Sequence, residues 1–262
     1  MEDIGPNKKE GTPFLGILKE SKVSGYSGEK GKLNKLAEAP GKIIRAEKFS
    51  ELNEIYQNRF GILELAQIAK KLYQELEESY GILVPADFIV GKNEEGEEII
   101  YSVVDKIEGQ NFFGVKNNQE IAEKVEAHYA TLAKYLLDKS ISGGFYLDDI
   151  YGPEQYVYGH TAEAQQNEIY LVDTDIFITD RKAFVYRDFS LLAKYIAGRE
   201  KYFNSEFNDA RRYIAEFASK PLMPGLTDGE LQSVRWNLEE IKKFLNNENL
   251  DTVPSSAITS FE

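Results

Sequence analysis

Short apolar runs separated by glycine-rich turns fill the first hundred residues, whereas long stripes of helical period fill the rest. Phe14-Leu15-Gly16-Ile17-Leu18 predicts a first strand. A glycine-rich turn, Ser24-Gly25-Tyr26-Ser27-Gly28-Glu29-Lys30-Gly31, leads into the weak alternation of Lys32-Leu33-Asn34-Lys35-Leu36. After the turn Glu38-Ala39-Pro40-Gly41, the run Lys42-Ile43-Ile44-Arg45-Ala46-Glu47-Lys48 predicts a third strand. Residues 49–80 read as helical, with Ile62, Leu65, Ile68, Ala69, Leu72 and Leu76 on one stripe and Gly81 as the stop. Phe88-Ile89-Val90-Gly91 and Ile99-Ile100-Tyr101-Ser102-Val103-Val104 flank an acidic Gly turn and predict a hairpin. Asn118 suits a helix N-cap ahead of Ile121, Val125, Tyr129, Leu132, Ala133, Leu136 and Leu137. Three further helices are expected over about 188–198, 206–219 and 228–246, and no internal repeat is visible.

Composition narrows this picture only modestly. The 262 residues suffice for one large domain or two small lobes, with ordinary apolar and charged fractions. No run of about 18 apolar residues occurs, and the first residues lack an apolar signal core, so neither a membrane span nor a secretory signal is expected. The absence of cysteine removes disulfides, thiolate metal sites and cysteine nucleophiles, and fits a cytoplasmic location. A net charge of −13 argues against nucleic acid or an anionic membrane as partner. With only His128 and His160 present, a histidine metal cluster or a Ser/His triad has little material, and both are expected at surface or cap positions.

The chemistry concentrates in two stretches. Gly144-Phe145-Tyr146-Leu147-Asp148-Asp149-Ile150-Tyr151-Gly152-Pro153-Glu154-Gln155-Tyr156-Val157-Tyr158 is a loop with two carboxylates that runs into a short strand. Ile169-Tyr170-Leu171-Val172-Asp173-Thr174-Asp175 is a second strand ending in acids. Carboxylates at one rim of two short strands suit Mg²⁺, which takes a few oxygen ligands together with substrate phosphates. Gly25, Gly28 and Gly31, between two strands, allow backbone N–H groups to approach phosphates, although no Walker motif closes the loop.

The order of these pieces resembles the protein-kinase-like and aminoglycoside-phosphotransferase-like fold, over about residues 14–244. The resemblance implies an α+β, two-lobed fold: a loose terminus 1–13, a small lobe 14–106 with an antiparallel sheet and one helix, a mainly helical lobe 107–248, and a loose tail 249–262. It implies ATP and Mg as cofactors. Ala46-Glu47-Lys48 would be the strand Ala-x-Lys, Lys48 would hold phosphates, and Glu64 would be its helix partner, with Glu75 and Glu54 as competitors. Asp105 and Ile107 would lie in a hinge whose backbone meets the adenine edge. Asp148 or Asp149 would orient the acceptor hydroxyl, Gln155 would stand in the place of a metal-binding Asn, and Asp173 would hold the metal with Asp175 as a second ligand. Tyr146 stands where this family usually has His, the amide is one methylene longer, and Asp173-Thr174-Asp175 replaces Asp-Phe-Gly. The implied function is a phosphotransferase for a small hydroxylated or cationic acceptor. The alternatives are a pseudokinase-like module that works through a protein partner, and an α+β interaction domain.

Overall fold

The computed structural model describes residues 2–3, 22–27, 33–39, 42–56, 59–84, 86–92, 96–115, 119–162, 164, 166–174 and 176–247. The expected strand at 14–18, Gly28, Gly31, Asn118, Asp175 and the tail 249–262 lie outside these residues. The architecture is α+β and divides into two compact units. The first takes the described residues up to Phe112 together with Gln155–Phe177; the second takes Phe113–Glu154 and the described residues from Ile178 onward. Residues 155–177, which chain order assigns to the helical lobe, thus cluster with the strand-rich unit.

The first unit is built on a six-stranded sheet of β1 (Glu2–Asp3), β2 (Lys22–Ser27), β3 (Leu33–Ala39), β4 (Lys42–Lys48), β5 (Ala86–Lys92) and β6 (Glu98–Asp105). Its order is β1-β5-β6-β4-β3-β2, antiparallel throughout. Glu2 and Asp3, in a segment expected to be loose, pair with Val90 and Ile89. The helical pattern over 49–80 resolves into α1 (Phe49–Ile55) and α2 (Ile62–Tyr80), the second starting after Gly61, which takes an extended N-cap conformation. Leu65, Ala66, Ala69, Leu72, Tyr73 and Leu76 form the buried face of α2, and Tyr73 stacks on Phe88 of β5 at 5.2 Å. Gly81 ends α2 in the left-handed conformation, its N–H bonding Glu77 O while Ile82 N–H bonds Leu76 O.

Successive strand residues point to opposite faces. Phe88 lies opposite Ser102, and Ser102 opposite Arg45, so Arg45 and Glu47 share the face that α2 covers. Lys48 belongs to the other face with Ala46, where Ile89, Ile99 and Tyr101 form a separate apolar cluster.

A second sheet in this unit joins β7 (Glu108–Asn111), β9 (Tyr156–His160) and β10 (Glu168–Leu171) in the order β10-β9-β7. Gly109 faces Gly159 across the β7–β9 pair. A Cβ on Gly109 would sit 2.3 Å from the Tyr158 carbonyl oxygen, and one on Gly159 would sit 2.4 Å from that of Glu108.

The second unit is helical: α3 (Gln119–Ser142), α4 (Lys182–Phe203), α5 (Asn208–Ala218) and α6 (Asp228–Leu245), with a two-stranded ribbon of β8 (Tyr146–Leu147) and β11 (Ile178–Thr179). Leu132, Leu136, Phe189, Leu192, Ile196, Ile214, Phe217, Val234 and Ile241 form its core, with Phe189 stacked on Phe217 at 3.9 Å. Thr227 and Glu230 make a reciprocal capping box at the start of α6.

Close backbone approach at Gly109 makes a testable contrast with an open glycine. Gly109→Ala should lower stability by about 1–3 kcal/mol, as forced overpacking does. Gly229→Ala, in the first turn of α6 with nothing within 4 Å of the added carbon, should be neutral or stabilising by up to about 1 kcal/mol. Urea unfolding midpoints check the pair, and equal effects would contradict the β7–β9 register.

Candidate functional site

The sequence-predicted acids divide between the two units. In the first, Asp173 is placed by a chain of backbone constraints. After Gly81 turns the chain, Leu83 bridges Tyr170 in parallel and accepts Leu171 N–H at 2.9 Å. The β9–β10 pair then brings Gln155 beneath the end of β10, where its carbonyl accepts Val172 N–H at 2.9 Å and Asp173 N–H at 3.3 Å. Farther on, the Tyr56 hydroxyl donates to Ile176 O at 2.5 Å. So anchored on both sides, Asp173 extends its carboxylate to the guanidinium of Arg45, whose Nη1 donates to Oδ1. Both side chains are partly buried, 19% exposed for Arg45 and 32% for Asp173. Two buried hydroxyls neighbour the pair in register or sequence, Ser102 opposite Arg45 and Thr174 after Asp173, and neither finds a hydrogen-bond partner among the described residues.

Arg45, and not Lys48, is the strand cation that meets Asp173. Lys48 points to the opposite face from Arg45, is 46% exposed, and bonds Glu97 at 2.8 Å. Glu64 is exposed and makes no hydrogen bond or ion pair with the described residues; it lies in the first turn of α2, where a carboxylate suits the helix dipole. Glu54 is also exposed, and Glu75 is half-buried. Gly25 lies on β2 opposite Lys35. Asp105 ends β6 opposite Lys42, and Ile107 follows it before β7. Gln155 contributes a backbone carbonyl beneath Asp173, and its side chain is buried.

In the second unit, Asp148 follows β8. Its Oδ1 accepts the Asp149 N–H at 2.8 Å and a bond from Arg187 Nη2. Asp149 takes a left-handed backbone (φ 58°) and is exposed. The same guanidinium holds Asp188, Nε at 3.0 Å and Nη2 at 2.9 Å from Oδ1, while the Tyr146 hydroxyl donates to Asp188 Oδ2 at 2.9 Å. Tyr135 accepts the Leu147 N–H at 2.9 Å, and Tyr151 donates to Leu147 O at 3.1 Å. Burial raises the Asp188 carboxyl well above the usual range and the Asp148 charge adds to this, while Arg187 and the Tyr146 hydroxyl pull the other way. Burial alone would weaken Arg187 as a base, but Asp188 and Asp148 together raise it above the ordinary arginine value. Tyr146 and Tyr151 are also raised well above theirs, chiefly by burial, and remain neutral donors.

Arg187 and Asp188 escape a linear reading because the helix is expected to begin near Asp188. The helix begins at Lys182, so Asp188 falls on the buried stripe with Val185, Phe189, Leu192 and Ile196. An acid on the apolar stripe of a helix is the signal that identifies it.

No family model matches the chain, and no curated protein matches it. Among solved structures, it is similar to the Cydia pomonella granulovirus kinase PK-1 at 13% identity, covering 91% of this chain and 100% of that one, with a TM-score of 0.40. It is similar to an aminoglycoside-3'-phosphotransferase of type VIII at 12% identity, covering 84% and 93%, with a TM-score of 0.38. It is also similar to WbdD at 13% identity and a TM-score of 0.37, covering 90% of this chain. The chain spans about half (48%) of the WbdD chain that it matches.

Of the two histidines, His128 departs from the expected surface or cap placement, whereas His160 is partly exposed. His160 lies at the end of β9 with Nδ1 3.0 Å from Asn167 Oδ1. His128 is 8% exposed on the inner face of α3, where burial lowers its pKa from 6.5 to about 3. A histidine kept neutral by folding stabilises fully above its unfolded pKa, and that stability is lost as pH falls toward the folded value. At 1.36 kcal/mol per pH unit, His128 alone should account for about 3 kcal/mol of stability lost between pH 7 and pH 4. Urea unfolding at both pH values should show His128→Gln losing correspondingly less over that interval. An unchanged loss would mean that His128 is not held neutral.

Proposed function

We propose that the chain is an ATP- and Mg²⁺-dependent phosphotransferase acting on a small hydroxylated or cationic acceptor, with Arg45 in the role first given to Lys48. The observation that carries this reading is the Arg45–Asp173 pair. A strand cation on the helix-covered face of the sheet meets a carboxylate at a strand end, which is the charge arrangement that a nucleotide triphosphate and its metal require. Among the described residues, no group of three or more His, Asp or Glu gathers to hold an ion. Mg²⁺ does not need one, since it takes one or two carboxylates plus substrate phosphates. Asp173 fits as that carboxylate, and Gln155, whose backbone carbonyl lies beneath it, would be a second oxygen ligand. When bound, Mg²⁺ would neutralise charge on the phosphate chain. Arg45 binds phosphate oxygens through its planar fork, an interaction that suits a guanidinium. Asp148 orients the acceptor and takes the proton of its hydroxyl, while exposed Asp149 stands beside it. The net charge of −13 favours an acceptor carrying positive charge.

One observation favours a second reading, a pseudokinase-like binding module. The Asp173 carboxylate is already neutralised by Arg45, and Tyr146 rather than His precedes the Leu147-Asp148 pair. On that reading a nucleotide displaces Asp173 from Arg45 without metal, and no phosphoryl group moves.

Thermal unfolding with ATP, with and without Mg²⁺, separates the two. At a hundredfold excess over Kd, ATP should add about 2.7 kcal/mol of stability. For the transferase this gain needs Mg²⁺, falls in Arg45→Met, loses its Mg²⁺ dependence in Asp173→Asn, and persists in Lys48→Met. Asp148→Asn should keep the gain while ADP formation falls by about 10²–10⁴. Stabilisation without Mg²⁺ and without ADP formation would establish the binding module instead.

A further inference from the structure

We propose that Arg187 is a positioning residue: by gripping Oδ1 of Asp148 it presents Oδ2 to the acceptor hydroxyl. The inference rests on the phosphotransferase reading of Asp148. Both hydrogen bonds that reach Asp148 from the described residues, from Arg187 Nη2 and from the Asp149 N–H, end on Oδ1. A carboxylate spreads about four acceptor sites over two oxygens, so loading one oxygen leaves the other to accept.

The guanidinium that makes the grip is itself fixed. Two of its nitrogens hold Asp188 Oδ1 at 2.9 and 3.0 Å, and Asp188 is fully buried. Tyr146, on the strand that delivers Asp148, holds the other oxygen of Asp188 at 2.9 Å. The Phe184 ring lies 4.3 Å from the guanidinium carbon. Arg187 therefore transmits the rigidity of α4 to a carboxylate on the loop after β8. A guanidinium is suited to this because its donors sit in a planar fork, whereas an ammonium is a point charge on a flexible stem. In the reaction, the acceptor O–H proton passes to Asp148 Oδ2 as the acceptor oxygen bonds to the γ-phosphorus. The bond from that phosphorus to the β–γ bridging oxygen breaks, and its electron pair leaves with ADP.

The test uses the full chain with Mg-ATP, water serving as acceptor, and reads ADP release together with the thermal shift caused by ATP. Arg187→Met should lower kcat by about 30-fold or more, leaving KM for ATP and the ATP-induced shift within about twofold of wild type. Arg187→Lys should recover part of the loss. An active wild type whose kcat is unmoved by Arg187→Met overturns the positioning role alone, as does a loss that appears in KM. A wild type that binds Mg-ATP but releases no ADP overturns the phosphotransferase reading and the presenting role with it. Should Arg187→Met fail to fold, the NMR signals of the Arg187 Nη hydrogens carry the test. They should be displaced in folded Asp148→Asn, and unmoved signals overturn the grip.

Discussion

The ion pair between Arg45 and Asp173 joins residues 128 positions apart, and much of the first unit's order serves to make it. Its two ends arrive by different routes. Arg45 is delivered by the register of β4 on β6, which sets it opposite Ser102 on the face covered by α2. Asp173 is delivered by the turn at Gly81, the bridge from Leu83 to Tyr170, and the Gln155 carbonyl that catches two successive N–H groups. Removing one partner of a fully buried pair costs about 3–5 kcal/mol, and the cost here is smaller because both side chains remain partly exposed. The pair is weak grounds for claiming net stability. It is better understood as fixing which conformation the segment after β10 adopts.

The second unit solves a related problem with a different charge balance. One guanidinium serves two carboxylates, and the deficit falls on Asp188, the one without solvent. The Tyr146 hydroxyl donates to Asp188, while Tyr135 and Tyr151 bond the N–H and carbonyl of Leu147. Because burial holds Tyr146 and Tyr151 far from ionisation, they act as fixed dipoles and not as further charges. Asp148 is half-buried, its side chain less exposed than that of Arg187 and more exposed than that of Asp188.

Much of the element order was legible in the sequence. The bounds of β4, the β5–β6 hairpin, the glycine stop after α2 and the helical second half all follow from period and turn chemistry. The identity of the strand cation was not legible, for a definite reason. Both faces of the central strands are apolar, one under α2 and one around Ile89, Ile99 and Tyr101, so alternation alone does not say whether Arg45 or Lys48 faces the helix. Sheet register and the Tyr73–Phe88 stack decide it. Asp188 escapes a linear reading because the expected helix starts there instead of at Lys182, and His128 because its burial depends on which stripe of α3 packs inward. Gln155 was legible as a residue near Asp173, but its observed contribution there is a backbone carbonyl, which no side-chain argument anticipates.

On the proposed reading, an arginine in the phosphate-binding role given to a lysine has its own physical consequence. A lysine ammonium beside a carboxylate is a compact charge that can be shared with a phosphate by a small rotation of its stem. A guanidinium bound to a carboxylate is a planar, directional contact, and phosphate is the other ligand whose geometry matches that plane. A triphosphate entering this unit therefore competes with Asp173 for the same fork instead of joining it. If the phosphate wins, Asp173 is released as an anion beside the phosphate chain, where a divalent ion is the natural neutraliser. If Asp173 keeps the fork, the nucleotide is held less tightly and no carboxylate is freed for a metal. On the proposed reading, the balance between Asp173 and phosphate for the Arg45 fork decides between transfer and binding alone.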